Sequence, residues 1–511
     1  MSTAAAADSY SAIPASRRVI AGVVLALSNF MVVLDLTIAN VSIPHIAGSM
    51  GITLEQGTWI ITSYAVAEAI CVPLTGWLAL RFGAVRVFIG AMLGFGLFSL
   101  ICGMSLTLGM IVAARIGQGL CGGPIMPMSQ ALMVRCFPPQ QRAAAMGLWA
   151  MTVIMGPALG PILGGYISDE LSWHWIFFIN VPIAALCIAF AMLVLRRVET
   201  ETERLPIDKV GLGLLVFWIS SLQLMLDLGR DHDWFADWKI VALAIMAALG
   251  LVVFVIWELT EEHPVVDLHI LRHRGLSASL ISMSLAFGSF FASVVIVPQW
   301  LQIAMGYSAG QAGIMMGLQS AVSLVFAPVV ARLMQHLDAR ILLSSGILWM
   351  AATTWMRSFW NTDADFWYLA IPLMLQGATI PFMMIPLTVI ALNSVQPSET
   401  ATAAGMQNFV RTLAIAVATA VVLTIWGDTQ RVIRNGLVEK LSADQAMASL
   451  SAGGFTGDQG RMILSNLVDQ QAMVMAMNHT SQLTAILLVV ASATVWLIPR
   501  IKPGAEIAIG H

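Results

Sequence analysis

The sequence predicts an all-α integral membrane protein of fourteen transmembrane helices, two six-helix halves plus two extra central helices. Three observations predict it. Of the 511 residues 58% are hydrophobic and 10% charged, and the mean hydropathy is +0.84. A soluble domain carries roughly a quarter charged residues. Apolar windows of about 19 residues recur fourteen times along the chain. Two connections also repeat: PQQRAAAMG sets Pro139 eight residues before Gly147, and PSETATAAG sets Pro397 eight before Gly405.

In chain order, residues 1–18 form a polar tail with no apolar core beside a cleavage site. The first window is therefore expected to serve as an uncleaved insertion signal. The windows are 19–42, 57–79, 85–104, 107–129, 144–166, 176–196, 209–229, 239–258, 276–299, 309–331, 340–358, 366–392, 402–426 and 479–499. The repeated connections precede the fifth window of the first six and the fifth of the last six. RFGAVR (81–86) and HLDAR (336–340) are likewise the second-to-third connections. These pairs divide the chain into a first six-helix bundle, 19–196, and two inserted helices with their flanking loop, 197–258. A second six-helix bundle follows, 259–499, then a tail, 500–511. Parallel repeats of this kind place a substrate site between the halves near mid-membrane. Residues 427–478 read as a long polar outer loop with helical pieces such as RVIRNGLVEKL and a glycine turn, SAGGFTGDQG.

Basic residues concentrate in one set of loops, including Arg17, Arg18, Arg81, Arg86, Arg135, Arg142, Arg196, Arg197, Arg332 and Arg340. The opposite set holds Arg230, Lys239, Arg357 and a few in the long loop. The first set is cytoplasmic by the positive-inside bias, and an even span count puts both termini on that side. Trp59, Trp173, Trp175, Trp234, Trp238, Trp300, Trp360 and Trp367 fall near outer span ends, as an interfacial belt would. The cysteines (Cys71, Cys102, Cys121, Cys136, Cys187) lie in apolar stretches without C-x-x-C spacing and read as small apolar residues. No metal cluster or phosphate-binding glycine loop is present. A net charge of -3 offers nothing to nucleic acid. No nucleophile and base cluster near a membrane surface as an enzyme would need; His336 near Asp338 suits a solvated loop.

Four ionisable residues lie deep in windows: Asp35, Glu68, Arg115 and Arg411. A charge in hydrocarbon costs at least about 2.5–3.5 kcal/mol, so such residues face the interior and pair or act. At 1.5 Å per residue the first three lie roughly 10–16 Å below the outer surface, within reach of one cavity. Arg411 enters from the other half. A carboxylate in a low-dielectric cavity holds protons more tightly, and a nearby arginine opposes this. Moving Arg115 on and off Asp35 would release and load a proton, and a lipophilic cation could compete for the acid. The alternative is a static Asp35–Arg115 pair tying spans one and four together. Asn40, Gln118 and Gln407 are candidate polar residues of the cavity. Asp227 and His45 lie nearer the outer surface.

In GPALGPILGG, Gly156, Gly160 and Gly164 share one helix face, where two backbones can approach closely. Pro157 and Pro161 remove donors beside it and invite a bend. With Gly147 and Gly165 they suit a helix that moves.

These residues resemble the 14-helix drug:proton antiporter family of the major facilitator superfamily, of the EmrB/QacA type, over nearly the whole chain. LDLTIANVSIP (34–44) is similar to the family's first-span motif and puts Asp35 on its acidic position. RIGQGLCGGPIMP (115–127) resembles the R-x-x-Q-G motif, with Arg115 on the arginine implicated in proton coupling. Residues 147–165 resemble the antiporter motif of span five. Gly76, Arg81, Gly83 and Arg86 fall on the superfamily loop motif. WHWIFFINVPIA (173–184) is similar to a signature of span six, and NFVRTL puts Arg411 on a family arginine. Departures are Leu80 where the loop motif has an acid, Ala84 and Val85 where it has basic residues, and His174 for an arginine. Leu413-Ala414-Ile415 stands where glycines are expected.

The resemblance implies a major facilitator fold and a bacterial inner-membrane exporter of hydrophobic or amphipathic toxic compounds. It implies no cofactor and a proton gradient as energy source. It also implies a partnership with a periplasmic adaptor (EmrA-like) and an outer-membrane channel. A dedicated exporter of a metabolite, fatty acid or siderophore fits the same fold. A non-transporting sensor or scaffold gains nothing from two acids at matched depth.

Overall fold

The computed structural model describes residues 14–203, 206–229, 232–396, 399–440, 446–447, 450 and 455–499, and every regular element among them is helical. The first-half helices are α1 (Ala15–Met50), α2 (Leu54–Cys71), α3 (Thr75–Phe82), α4 (Ala84–Gly103) and α5 (Leu108–Gly122). Then come α6 (Ile125–Cys136), α7 (Pro139–Glu170), α8 (Trp175–Phe178) and α9 (Asn180–Val194). The inserted pair is α10 (Lys209–Gly229) and α11 (Trp238–Thr260). The second half comprises α12 (Arg274–Ile303), α13 (Ala309–Leu333), α14 (Ala339–Met356), α15 (Phe366–Asn393), α16 (Thr400–Lys440) and α17 (Gly457–Thr494).

Among the described residues 11 helices are long and apolar enough to cross a membrane. A twelfth span is the pair α2–α3, bent by 58°. Helices α7 and α14 fall short of that test but occupy the remaining two windows: α7 packs on α1 and α13, α14 on α15 and α17. Helix ends follow local chemistry. Thr53, Ser308 and Thr456 each form a capping box with the glutamine three residues on. Gly51 ends α1 in the left-handed conformation, at φ 66°.

The inserted helices pack on each other, and α10 lies against α2 and α16 along the seam between the halves. Trp218 of α10 meets Phe254 of α11 and, edge-on, Phe409 of α16. The tails 1–13 and 500–511 lie outside the described residues, as do Arg204 and Arg230.

Two expectations change. Much of 427–478 is not a loop but a prolongation of two spans. Helix α16 runs for 41 residues and α17 for 38, so each is about 60 Å long at 1.5 Å per residue. That is twice the bilayer's hydrocarbon thickness of about 30 Å. The two helices pack together and are bridged by Arg434 and Asp469 at 2.5 Å. Of the glycine turn SAGGFTGDQG, residues 451–454 lie outside the described residues, and Gly457–Gly460 already belong to α17. Three tryptophans assigned to the interfacial belt are interior: Trp173, Trp300 and Trp360 are 5%, 0% and 1% exposed. Trp300 and Trp360 stack on each other at 5.2 Å, which hides both from lipid and water. Trp59, Trp175, Trp238 and Trp367 are exposed, as a belt requires.

Candidate functional site

The first-half cluster forms because α5 lies unusually close to α2. A Cβ on Gly119 would meet the Tyr64 carbonyl and the Glu68 amide, so only glycine permits that approach. It brings Arg115 into the bundle, where its Nε donates to the Ile60 carbonyl at 3.0 Å. Its guanidinium lies 4.2 Å from the Tyr64 ring centre. Nη1 donates to Asp35 Oδ2 at 2.6 Å and to Gln118 Oε1 at 2.8 Å. Asp35 accepts twice more on Oδ1, from Gln118 Nε2 at 3.0 Å and Asn180 Nδ2 at 2.6 Å. Asn180 also donates to Ser99 Oγ at 3.1 Å. Asp35, Arg115, Gln118 and Asn180 are all fully buried.

Asp35 is thus held by α1, α5 and α9 together. Reasoning from sequence reached Asp35, Arg115 and Gln118 but left out Asn180, Ser99 and Tyr64. The N-V-P of the INVP stretch was a signal for Asn180, since an asparagine inside an apolar span needs a partner.

Glu68 is buried in α2, yet its carboxylate makes no hydrogen bond among the described residues. The charges acting on it belong to Arg411, Arg115 and Asp35. Asn40 stays out of the cluster; it is exposed and donates to the Leu36 carbonyl of its own helix.

A second polar cluster joins the halves. Gln130 Nε2 of α6 donates to Gln407 Oε1 of α16 at 2.7 Å, and Asn408 Nδ2 donates to Gln130 Oε1 at 2.6 Å. Arg411 Nη2 donates to Asn408 Oδ1 at 2.6 Å and touches the Met126 sulfur. Its guanidinium lies 5.7 Å from the Trp149 ring. Gln407 and Arg411 were expected in the cavity; Gln130, Asn408 and Trp149 were not. Arg411 makes no ion pair among the described residues, and Glu68 is the one acid that acts on it.

The glycine face of α7 packs on α1, the helix that carries Asp35. A Cβ at Gly156, Gly160 or Gly164 would run into Val33, Thr37 or Ile38. Thr37 Oγ1 donates to the Gly156 carbonyl at 3.0 Å. Gly147 instead faces Ile385 and the Ala327 carbonyl of the second half, and nothing stands within 4 Å of a Cβ on Gly165. The side chains of Pro157 and Pro161 lie outside the described residues, and the helix runs continuously through them.

The loop motif sits at the bundle end that carries the basic loops. Gly83 turns the chain at φ 91° between α3 and α4. Where Leu80 leaves the motif without its acid, Glu199 supplies one. Its carboxylate accepts from Val85 N at 2.9 Å and Arg86 N at 3.2 Å, and lies 3.9 Å from Arg86 Nε. Arg81 packs over Trp77 and Phe82. Gly76 lets α3 press against Thr402 of α16. The polar contacts between halves therefore gather toward this end, through α3 and α6 on one side and α16 on the other.

The family model of the Major Facilitator Superfamily matches residues 25–419. The chain is 39% identical to "Multidrug export protein EmrB" of Escherichia coli (strain K12) over 484 residues, 94% of either chain. It is 38% identical to "Fatty acid resistance protein FarB" of Neisseria gonorrhoeae, over 93% of this chain and 94% of that one. Among solved structures, the proton:xylose symporter XylE superposes with a TM-score of 0.60 at 14% identity, covering 96% of this chain and 97% of that one. That likeness concerns the fold. The chain belongs to the Major Facilitator Superfamily, in its EmrB-like branch: it is a multi-pass membrane transporter of small molecules and not an enzyme.

Proposed function

We propose that the protein exports hydrophobic or amphipathic toxic compounds in exchange for protons, by alternating access. The observation that carries this reading is the fully buried carboxylate of Asp35, held by Arg115, Gln118 and Asn180 from two other helices. A charge so placed is a functional feature of a membrane bundle. The 39% identity to a multidrug export protein supports the substrate class.

In the arrangement seen, Arg115 occupies the acid. A rearrangement that draws α5 from α1 would leave Asp35 in a low-dielectric site, where it takes a proton. Glu68, without a hydrogen-bond partner among the described residues, stands between this cluster and Arg411. It is the second acid of the exchange. The joined α3, α6 and α16 ends describe the state closed toward the cytoplasm. The proposed setting is a bacterial inner membrane with both termini cytoplasmic, no cofactor, and the proton gradient as energy source. The long α16–α17 hairpin then projects outward. It offers a surface to an EmrA-like periplasmic adaptor that leads to an outer-membrane channel.

The test uses inverted membrane vesicles holding an inward-acid pH gradient. Chemically unrelated lipophilic cations and neutral toxins are expected to trigger proton release, and Asp35→Asn to abolish it. Release that persists unchanged in both Asp35→Asn and Glu68→Gln would remove these acids from the mechanism. The likeness to a fatty acid resistance protein favours a second reading, a dedicated exporter. Protection of growth against one compound from a mixed panel would select it.

A further inference from the structure

Arg357 follows α14 and stands among the loop charges when the sequence is read by windows. In the structure it is 1% exposed. Its Nη2 donates to Ser293 Oγ at 3.0 Å, while Nε and Nη1 have no partner, and no carboxylate pairs with it among the described residues. A neutral hydrogen-bond partner can satisfy N–H groups but not a buried positive charge, which calls for an anion.

The two halves show what is missing. In the first, the first helix supplies Asp35, the third Ser99 and the sixth Asn180. In the second, Ser293 lies nearly as far along α12 as Asp35 lies along α1. Arg357 follows the third helix of that half, and Asn478 stands on the sixth. Asn478 Nδ2 donates to the Trp360 carbonyl at 3.0 Å. The second half thus has a guanidinium, and a serine where the first half has an acid.

The surroundings are apolar and rich in donors. The stacked Trp300 and Trp360 lie beyond Arg357 toward the far end of the bundle, packed with Ile296, Leu301 and Met477. The indole N–H groups of both tryptophans are buried without a partner. Ser293, to which the guanidinium donates, is part-exposed on α12.

The geometry points to a second ligand subsite, in which Arg357 and Ser293 take the carboxylate of an amphipathic anion whose apolar body lies along the part-exposed face of α12 at Ser293, Val294 and Val295, beside the closed tryptophan cluster. The ligand's carboxylate supplies the counter-ion that Asp35 supplies in the other half. Calling this ligand a substrate rests on the export reading above; the binding itself does not.

The experiment is equilibrium dialysis of decanoate, decanol and decylamine against the full chain in phosphatidylcholine nanodiscs, with empty discs as blank. Wild type is expected to bind decanoate at least about tenfold more tightly than decanol, a difference of one decade in Kd. Arg357→Gln should erase that preference and leave decanol and decylamine binding unchanged; Arg357→Lys should keep part of it. Equal binding of decanoate and decanol by wild type overturns the subsite without recourse to any variant. A preference that survives in Arg357→Gln overturns it as well. Adding phosphatidylglycerol separates two sources of the anion. A preference that persists supports a carboxylate ligand; its loss assigns the guanidinium to a lipid phosphate and overturns the proposal. No proton gradient enters the assay, so failure of proton coupling in vesicles and failure of this subsite are distinct results.

Discussion

Asp35 and Arg115 are 80 positions apart in sequence and 2.6 Å apart in space, with no water-accessible surface on either side chain. Removing one partner of such a pair strands a buried charge and costs about 3–5 kcal/mol. Arg115→Met should therefore lower thermal stability in detergent markedly, and adding Asp35→Asn should recover much of the loss. Independent, additive losses in that double-mutant cycle would show that the two groups do not act as a pair. Asn180 tests positioning. Asn180→Leu removes one donor from Asp35 Oδ1 and leaves Arg115 in place, so it should move the pH dependence of exchange more than the apparent substrate affinity. A change in affinity alone would assign Asn180 to substrate contact.

At the scale of elements, α7 touches both halves: its glycine face lies on α1 while Gly147 faces α13 and α15. Overpacking such a contact costs about 1–3 kcal/mol. Gly160→Leu, which would drive a side chain into Thr37, should reduce both folded yield and export, whereas Gly165→Ala should match wild type in both. Equal behaviour of the two variants would show that the close α1–α7 contact is dispensable. The acid missing from the loop motif at Leu80 is restored from another element, since Glu199 closes the same turn from the linker. No spacing rule within the motif could reveal that replacement. The long outer stretch misled for a related reason: its residues are polar, so hydropathy ends the spans near Trp426, while helical hydrogen bonding continues to Lys440.

Across the whole molecule, α3 and α6 meet α16 at the basic end, and alternating access requires these contacts to part. Cβ atoms at Gly76 and Thr402 would stand 2.9 Å apart, closer than the roughly 3.5–4.5 Å of a disulfide, so the two helices must ease apart slightly for the bond to form. Gly76→Cys with Thr402→Cys, in a background without the native cysteines, should cross-link on oxidation and stop export, and reductant should restore it. Export that continues through the cross-link would mean that these ends stay together throughout the cycle.

The sequence by itself determined the membrane class, the helical windows, the glycine face and three members of the Asp35 cluster. These are legible because hydrocarbon leaves few options: spans must be apolar and helical, and a charge within one must have a reason. Tertiary structure alone decided the partners. Asn180 and Ser99 complete the Asp35 cluster, and Gln130 bridges the halves at a separation of 277 residues. Arg357, Trp300 and Trp360 moved from the loop and belt positions suggested by the window edges into the interior of the second half. Hydropathy measures how far along a span a residue lies. It does not measure which way the residue faces, and facing is set by the neighbouring helices that the chain reaches only on folding.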